Sequence, residues 1–339
     1  MTSRLGLLLI LCLIGVGCRR QVEPNYVAAP QTTALERDEL RQNITAFVTK
    51  ECGTFAVPKL FGSSDVPLER LKHGQQVYML RCVQCHGVTG GGDGIAAVHL
   101  SPKPRDYRQG IFKFASTPYG SKPRREDLLR TISRGIPGTS MPSFRLLTKR
   151  ELSDVVDYVL SLTHRGELET FLANEAKASD ELEEDAFSDA AEIVRKRWHD
   201  ARFQSIVLLT PEPDFTHEMV EAGMKKFQVE GCWKCHGADG RGASGAEVNV
   251  DSWGHPSRAA DLTSGMLRGG STPADIYRRI YGGINGTRMP GFNTAFKDRP
   301  DAIWELVAYV MSVSNRRREG EIPLAEVAGS VPSVPVKSP

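Results

Sequence analysis

The 339-residue chain has no apolar run long enough to cross a bilayer in the usual way. Its apolar stretch from Leu5 to Ile14 falls short of the roughly 20 residues that a typical spanning helix needs. It also lacks a decisive charge of either sign. Lys and Arg number 43 against 41 Asp and Glu, a net +2, so there is no global electrostatic case for nucleic acid. No βαβ pattern surrounds its cysteine pairs, which removes the usual setting of a thioredoxin-like redox site. Cysteine itself is sparse, at seven residues. The composition, 40% hydrophobic and 25% charged, suits two globular domains.

What is present is a duplicated motif. Cys82-Val83-Gln84-Cys85-His86 recurs as Cys232-Trp233-Lys234-Cys235-His236. Cys-x-x-Cys-His is the attachment signature of a c-type haem. The two thiols add to the haem vinyl groups, and the adjacent His becomes an axial ligand of the iron. Two copies imply two covalently bound haem c groups. One shared zinc site built from Cys82, Cys85, Cys232 and Cys235 is the competing reading. Zinc does not need the His after each pair, and the pairs lie far apart in the chain.

An electron carrier needs a second axial ligand, commonly Met or His. The sequence offers Gly135-Ile136-Pro137-Gly138-Thr139-Ser140-Met141-Pro142-Ser143-Phe144. The other half answers with Gly283-Ile284-Asn285-Gly286-Thr287-Arg288-Met289-Pro290-Gly291-Phe292. Met often serves only as core filler. Two Mets in matched frames, at matched distances from matched motifs, point instead to ligation by Met141 and Met289. His99, His255 and Met266 are competing ligands, each without a counterpart in the other half.

The repeat extends further. Gly74-x-x-x-Tyr78 and Gly223-x-x-x-Phe227 precede the two motifs and put a small and an aromatic residue on one helix face. Apolar-periodic runs follow the Met loops: Leu152, Val155, Val156, Tyr158, Val159 and Leu162, then Ile303, Leu306, Val307, Tyr309 and Val310. The first helix of each half should cross the last, with Gly permitting close approach. A further helix is expected ahead of each Met loop, over 126–133 and 274–281.

On these residues each half resembles a class I cytochrome c domain, and the whole resembles a bacterial membrane-associated dihaem cytochrome c. The resemblance covers about residues 66–165 and 216–316. It implies a mainly α fold of two tandem domains, each a few helices wrapped around a covalent haem. It makes Cys82, Cys85, Cys232 and Cys235 the thioether sites, with His86 and His236 as proximal and Met141 and Met289 as distal iron ligands. Pro102-Lys103-Pro104-Arg105-Asp106-Tyr107 resembles the loop whose proline carbonyl fixes the proximal His. The second half departs from it, reading Ser257-Arg258-Ala259-Ala260-Asp261-Leu262.

Residues 1–17 read as an export signal, with Arg4 ahead of the apolar stretch. Ile14-Gly15-Val16-Gly17-Cys18 is close to a lipobox, so Cys18 is the expected lipid attachment point. The remaining expected segments are an N-terminal tether over 18–65, domain 1 over 66–165, a charged helical linker over 166–215, domain 2 over 216–318 and a disordered tail over 319–339. Phe187, Ile193 and Trp198 are candidate packing residues of the linker. Cys52 is left over, as a buried free thiol or an intermolecular partner. A basic run, Arg105, Arg108, Lys113, Lys122, Arg124, Arg125, Arg130 and Arg134, offers either a steering face for an acidic redox partner or an ordinary solvated face.

The expected function is electron transfer outside the cytoplasm by a lipid-anchored carrier, not catalysis. Its expected partners are a quinol-oxidising complex and a terminal oxidase. One alternative is the electron-accepting subunit of a periplasmic dehydrogenase. Another is a dihaem peroxidase, which needs an iron with an open position; the paired Met loops count against it.

Overall fold

The computed structural model describes residues 24–242 and 249–318. The expected export signal, the lipidation of Cys18 and the tail over 319–339 lie outside the described residues. The elements run α1 (Pro30–Thr33), α2 (Asp38–Cys52), α3 (Leu68–Arg81), α4 (Val83–His86), α5 (Arg125–Arg134), α6 (Lys149–Ser179) and α7 (Glu184–Ala201). They continue with α8 (His217–Val229), α9 (Trp233–His236), the two-residue strands β1 (Asn249–Val250) and β2 (Pro256–Ser257), α10 (Pro273–Gly282) and α11 (Ala302–Arg318). The fold is mainly α: two tandem class I cytochrome c-like domains. No described helix is long and apolar enough to cross a membrane.

Each domain is organised by a crossing of two helices. In the first, α3 meets α6 at Gly74, where an added Cβ would fall on the Asp154 carbonyl oxygen. In the second, α8 meets α11 at Gly223, where it would fall on the Glu305 carbonyl oxygen. Only a residue without a side chain allows backbones this near. The aromatics one turn on then meet edge to face or tilted: Tyr78 with Tyr158 at 5.4 Å and Phe227 with Tyr309 at 5.1 Å between centroids. Tyr78 satisfies its buried hydroxyl by donating to the Gly87 carbonyl at 2.8 Å, next to the first haem motif.

Local signals start the helices where the sequence places them. Thr148 and Glu151 form a reciprocal capping box at α6, with Glu151 accepting from Thr148 N at 2.8 Å and Thr148 accepting from Glu151 N at 3.2 Å. Thr272 caps α10 through Asp275 N at 3.2 Å, with Pro273 at the first helical position.

The charged helical linker expected from 166 begins as the continuation of α6 and is buried there along one face. Leu168, Leu172, Ala173 and Ala176 are buried along one face, and α7 packs against it through Ala190, Ala191, Val194 and Trp198. The acids there are buried but partnered. Glu167 meets Lys122 Nζ at 2.6 Å and accepts from Trp198 Nε1 at 2.7 Å; Glu169 accepts from Ala29 N at 2.8 Å. Of the candidate linker contacts, Trp198 is buried, Phe187 packs on the core edge and Ile193 is exposed. The stretch ahead of the first domain packs too, with Leu40, Ile44, Val48 and Cys52 of α2 in the same core. Burial pushes the Cys52 thiol up to about 12, with Arg165 opposing it.

The two domains share a polar interface. Arg279 donates to the Lys113 carbonyl at 3.3 Å and also to the Ala115 carbonyl, while Ile206 N donates to the Ser116 carbonyl at 2.7 Å. Asn285 accepts from Gly120 N at 2.8 Å and donates to the Ser121 carbonyl at 3.3 Å.

Candidate haem-binding sites

Each Cys-x-x-Cys-His motif is wound into a single helical turn, α4 or α9. Its backbone is fixed the same way twice. His86 N donates to the Cys82 carbonyl at 2.9 Å and His236 N to the Cys232 carbonyl at 3.0 Å. The chain then turns back, so that Gly92 N reaches the His86 carbonyl at 3.0 Å and Gly242 N the His236 carbonyl at 2.7 Å.

The imidazoles are oriented by backbone carbonyls. His86 Nδ1 donates to Arg105 O at 3.3 Å, and His236 Nδ1 donates to Ala260 O at 3.0 Å. A carbonyl can only accept, so each bond fixes the tautomer with Nε2 free of hydrogen. The first acceptor is thus Arg105, not the proline carbonyl that the resemblance implies. Arg105 and Ala260 are matched positions, since each precedes an Asp whose carboxylate holds the next turn. Asp106 accepts from Arg108 N at 2.9 Å, and Asp261 from Thr263 N at 2.9 Å. Burial pushes His86 down to about 4, Arg105's carbonyl opposing and its charge assisting. Burial also lowers His236, against the bond to Ala260. A neutral imidazole with one nitrogen anchored and the other open is the form an iron ligand requires.

The Met loops are near-copies. Ile136 N donates to Met141 O at 3.1 Å, Thr139 Oγ1 to Ile136 O at 2.8 Å, and Met141 N to Thr139 Oγ1 at 3.2 Å. The second loop repeats these as Ile284 N to Met289 O at 3.1 Å, Thr287 Oγ1 to Ile284 O at 2.8 Å, and Met289 N to Thr287 Oγ1 at 3.1 Å. Gly138 and Gly286 take φ of +69° and +72°, the left-handed region that these tight turns demand. Each loop is pinned to the preceding helix, by Phe144 N to Ile132 O at 3.3 Å and Phe292 N to Ile280 O at 3.0 Å.

The residues fit a covalent haem. Cys82, Val83, Phe112, Leu129 and Ile132 are each partly buried against the first core, and Cys232, Leu267, Tyr281 and Phe292 against the second. Such apolar rims suit a flat hydrophobic ring. The zinc alternative does not fit. Among the described residues no three or more His, Cys, Asp or Glu gather into a metal-binding group, so the two Cys pairs stay apart. Burial also raises Cys82 to about 12 and Cys232 to about 11, the reverse of a thiolate site. Of the competing ligands, Met266 lies 3.7 Å through its sulfur from where a Cβ on Gly138 would stand, against the first Met loop.

The basic run is consumed internally. Arg105 and Lys113 pair with Asp251 at 3.4 and 3.0 Å, and Arg134 with Asp275 at 3.4 Å, both acids belonging to the second domain. Arg108 meets Asp106, Lys122 Glu167, Arg124 Glu126, Arg125 Asp157 and Arg130 Asp127. The stretch is neither a free steering face nor a plainly solvated one.

Sequence reasoning missed five contributors. Tyr107 stacks on His86 at 4.7 Å with planes 24° apart. Thr139 and Thr287 brace the Met loops. Asp251 and Trp253 reach across the domain interface. The repeated Asp106 and Asp261 were the available signal for the two carbonyl acceptors.

A cytochrome c family model matches residues 71–163 and 220–314. A chain of the Kuenenia stuttgartiensis reducing HAO-like protein complex Kustc0457/Kustc0458 is 34% identical. The match covers 71% of this chain and 96% of that one, with a TM-score of 0.56. No curated protein matches.

Proposed function

The chain belongs to the cytochrome c family, and from that premise we propose a dihaem electron carrier that serves as the electron-transfer subunit of a larger redox complex. The duplicated site carries this reading: two oriented imidazoles and two rigid Met loops in one chain. When bound, each haem supplies a one-electron couple. The chain's own residues do the remainder. Cys82, Cys85, Cys232 and Cys235 hold the rings by thioethers. Arg105 and Ala260 aim His86 and His236 through their carbonyls. Met141 and Met289 would supply the second ligand of each iron, a set that would leave no place for peroxide or another substrate. His/Met ligation raises the reduction potential, which suits accepting electrons from a catalytic partner.

The similarity to a chain of a HAO-like complex supports the complex-subunit reading. No observation favours the quinol-to-oxidase placement over it. The leader and Cys18 supply the location, a lipid-anchored carrier on the outer face of the cytoplasmic membrane. Mass analysis of detergent-extracted protein tests this: a diacylated Cys18 is expected, and an unmodified Cys18 in membrane-bound material contradicts it.

Ligation is tested by Met141→Ala and Met289→Ala. Each should keep its haem and lose one thioether–iron absorption band. A double variant that retains both bands refutes the assignment.

A further inference from the structure

The second domain reaches into the first at the loop that orients His86. The β1–β2 hairpin presents Asp251 and Trp253. Asp251 Oδ1 shapes the turn by accepting from Trp253 N at 3.1 Å and His255 N at 3.0 Å. Its other oxygen takes the Arg105 and Lys113 pairs. The Arg105 guanidinium lies 3.7 Å from the Trp253 ring centroid, with Lys113 Nζ at 5.5 Å, a cation–π arrangement. Trp253 Nε1 donates to Asp106 O at 3.1 Å. Arg105 and Asp106 are the residues whose backbone forms the His86 acceptor.

The indole also meets the second site. A Cβ on Gly286 would strike the Trp253 ring, and Ser252 N donates to Gly286 O at 3.0 Å. Gly286 lies within the turn that carries Met289. One side chain therefore packs between the proximal loop of the first site and the distal loop of the second.

We propose that Trp253 is a positioning residue shared by both redox sites, holding the His86 acceptor loop and the Met289 loop in one rigid unit and so setting the reduction potential of the first haem. This rests on the reading of His86 and Met289 as ligands. The indole and the guanidinium stacked on it lie against the His86 loop, and removing them admits water to it. Water stabilises the more highly charged ferric form, so opening this contact lowers the potential, through the burial lever on haem iron.

The test is a potentiometric titration of full-length holoprotein followed by visible spectra. Trp253→Ala should lower one midpoint, cutting the ferrous-to-ferric ratio of that haem at fixed potential at least threefold, about 28 mV at 59 mV per tenfold for one electron. Trp253→Phe keeps the stacking and loses the Nε1 donor, so it should shift the same midpoint in the same direction by less. It also carries the test should the alanine variant not fold. Arg134→Gln breaks an interdomain ion pair that touches neither Trp253 nor Arg105, and should leave both midpoints in place. Unchanged midpoints in both Trp253 variants overturn the proposal. So does an equal shift in Arg134→Gln, which would mean that any loosening of the interface suffices. Unmutated protein without thioether–iron bands would instead overturn the ligand reading beneath it.

Discussion

The two domains share a ligand frame and differ in what surrounds it. At Gly74 and Gly223, at the Met loops and at the His-to-carbonyl bonds the halves are nearly superimposable in their hydrogen bonding. Around the helix crossing they part. In the first domain Asp154 and Asp157 of α6 are buried and gather Arg70, His73 and Arg125, with Arg70 Nη2 to Asp157 at 2.6 Å and Arg125 Nε to Asp157 at 2.6 Å. The matched second-domain positions of Arg70, His73 and Asp157 are Met219, Ala222 and Ala308, leaving one Lys226–Glu305 pair at 2.7 Å. Tyr107 against His86 becomes Leu262. The first domain is also wrapped by α2 and α7, whereas the second is not. What must be kept for iron is thus separable from what holds a domain together.

The comparison can be broken at its shared part first. Gly74→Ala and Gly223→Ala should each destabilise their domain by about 3 kcal/mol, because the new methyl meets a backbone carbonyl that cannot retreat. Thermal unfolding followed by helical signal checks this; tolerance at one site only would end the equivalence of the two crossings. Next comes the ionic cluster. Asp157→Ala removes one partner each from Arg70 and Arg125 and should cost about 2 kcal/mol, less than a fully buried pair because both arginines are partly exposed. Adding Arg70→Met, which imitates the second domain, should recover part of that loss in denaturant titration.

A pH difference follows in size. His164, buried against Trp198 with Nδ1 bonded to the Phe61 carbonyl at 2.9 Å, is pushed by burial from 6.5 down to about 4. The unfolded chain then takes up this proton first. Its contribution is present above pH 6.5 and is lost as pH falls toward 4. The second domain has Asn315 at this position. The first domain should lose more stability than the second between pH 7 and about 4.5, and His164→Gln should flatten the difference. Tyr107→Leu should have the smallest effect, about 1 kcal/mol on the first domain, with the His236 resonances unmoved.

Much of this was legible in the chain because the ligand frame is local. A one-turn motif, a Gly-x-x-Gly-Thr-x-Met-Pro loop and a Gly facing an aromatic declare themselves by spacing, and each recurs. The His-orienting acceptor was harder to read. It is a backbone carbonyl, so Ala260 serves where Arg105 does and the lost proline of the second half makes no difference. Long-range pairing was least visible. A run of eight bases suggests an open positive face, yet Arg105, Lys113, Lys122, Arg125 and Arg134 find their acids on α6 or in the second domain, far along the chain, and the other three find theirs two or three residues away. Charge at 166–179 likewise hid a buried helix, because Glu167 and Glu169 find partners that only folding supplies.

The most direct test of the central claim is haem stoichiometry in matured, denatured protein, read from the alkaline pyridine spectrum together with intact mass. Two haems per chain that survive denaturation, falling to one in Cys82→Ala/Cys85→Ala and likewise in Cys232→Ala/Cys235→Ala, are expected. Unfolded protein that has shed its haem, or a ratio unmoved by either pair of substitutions, would contradict it.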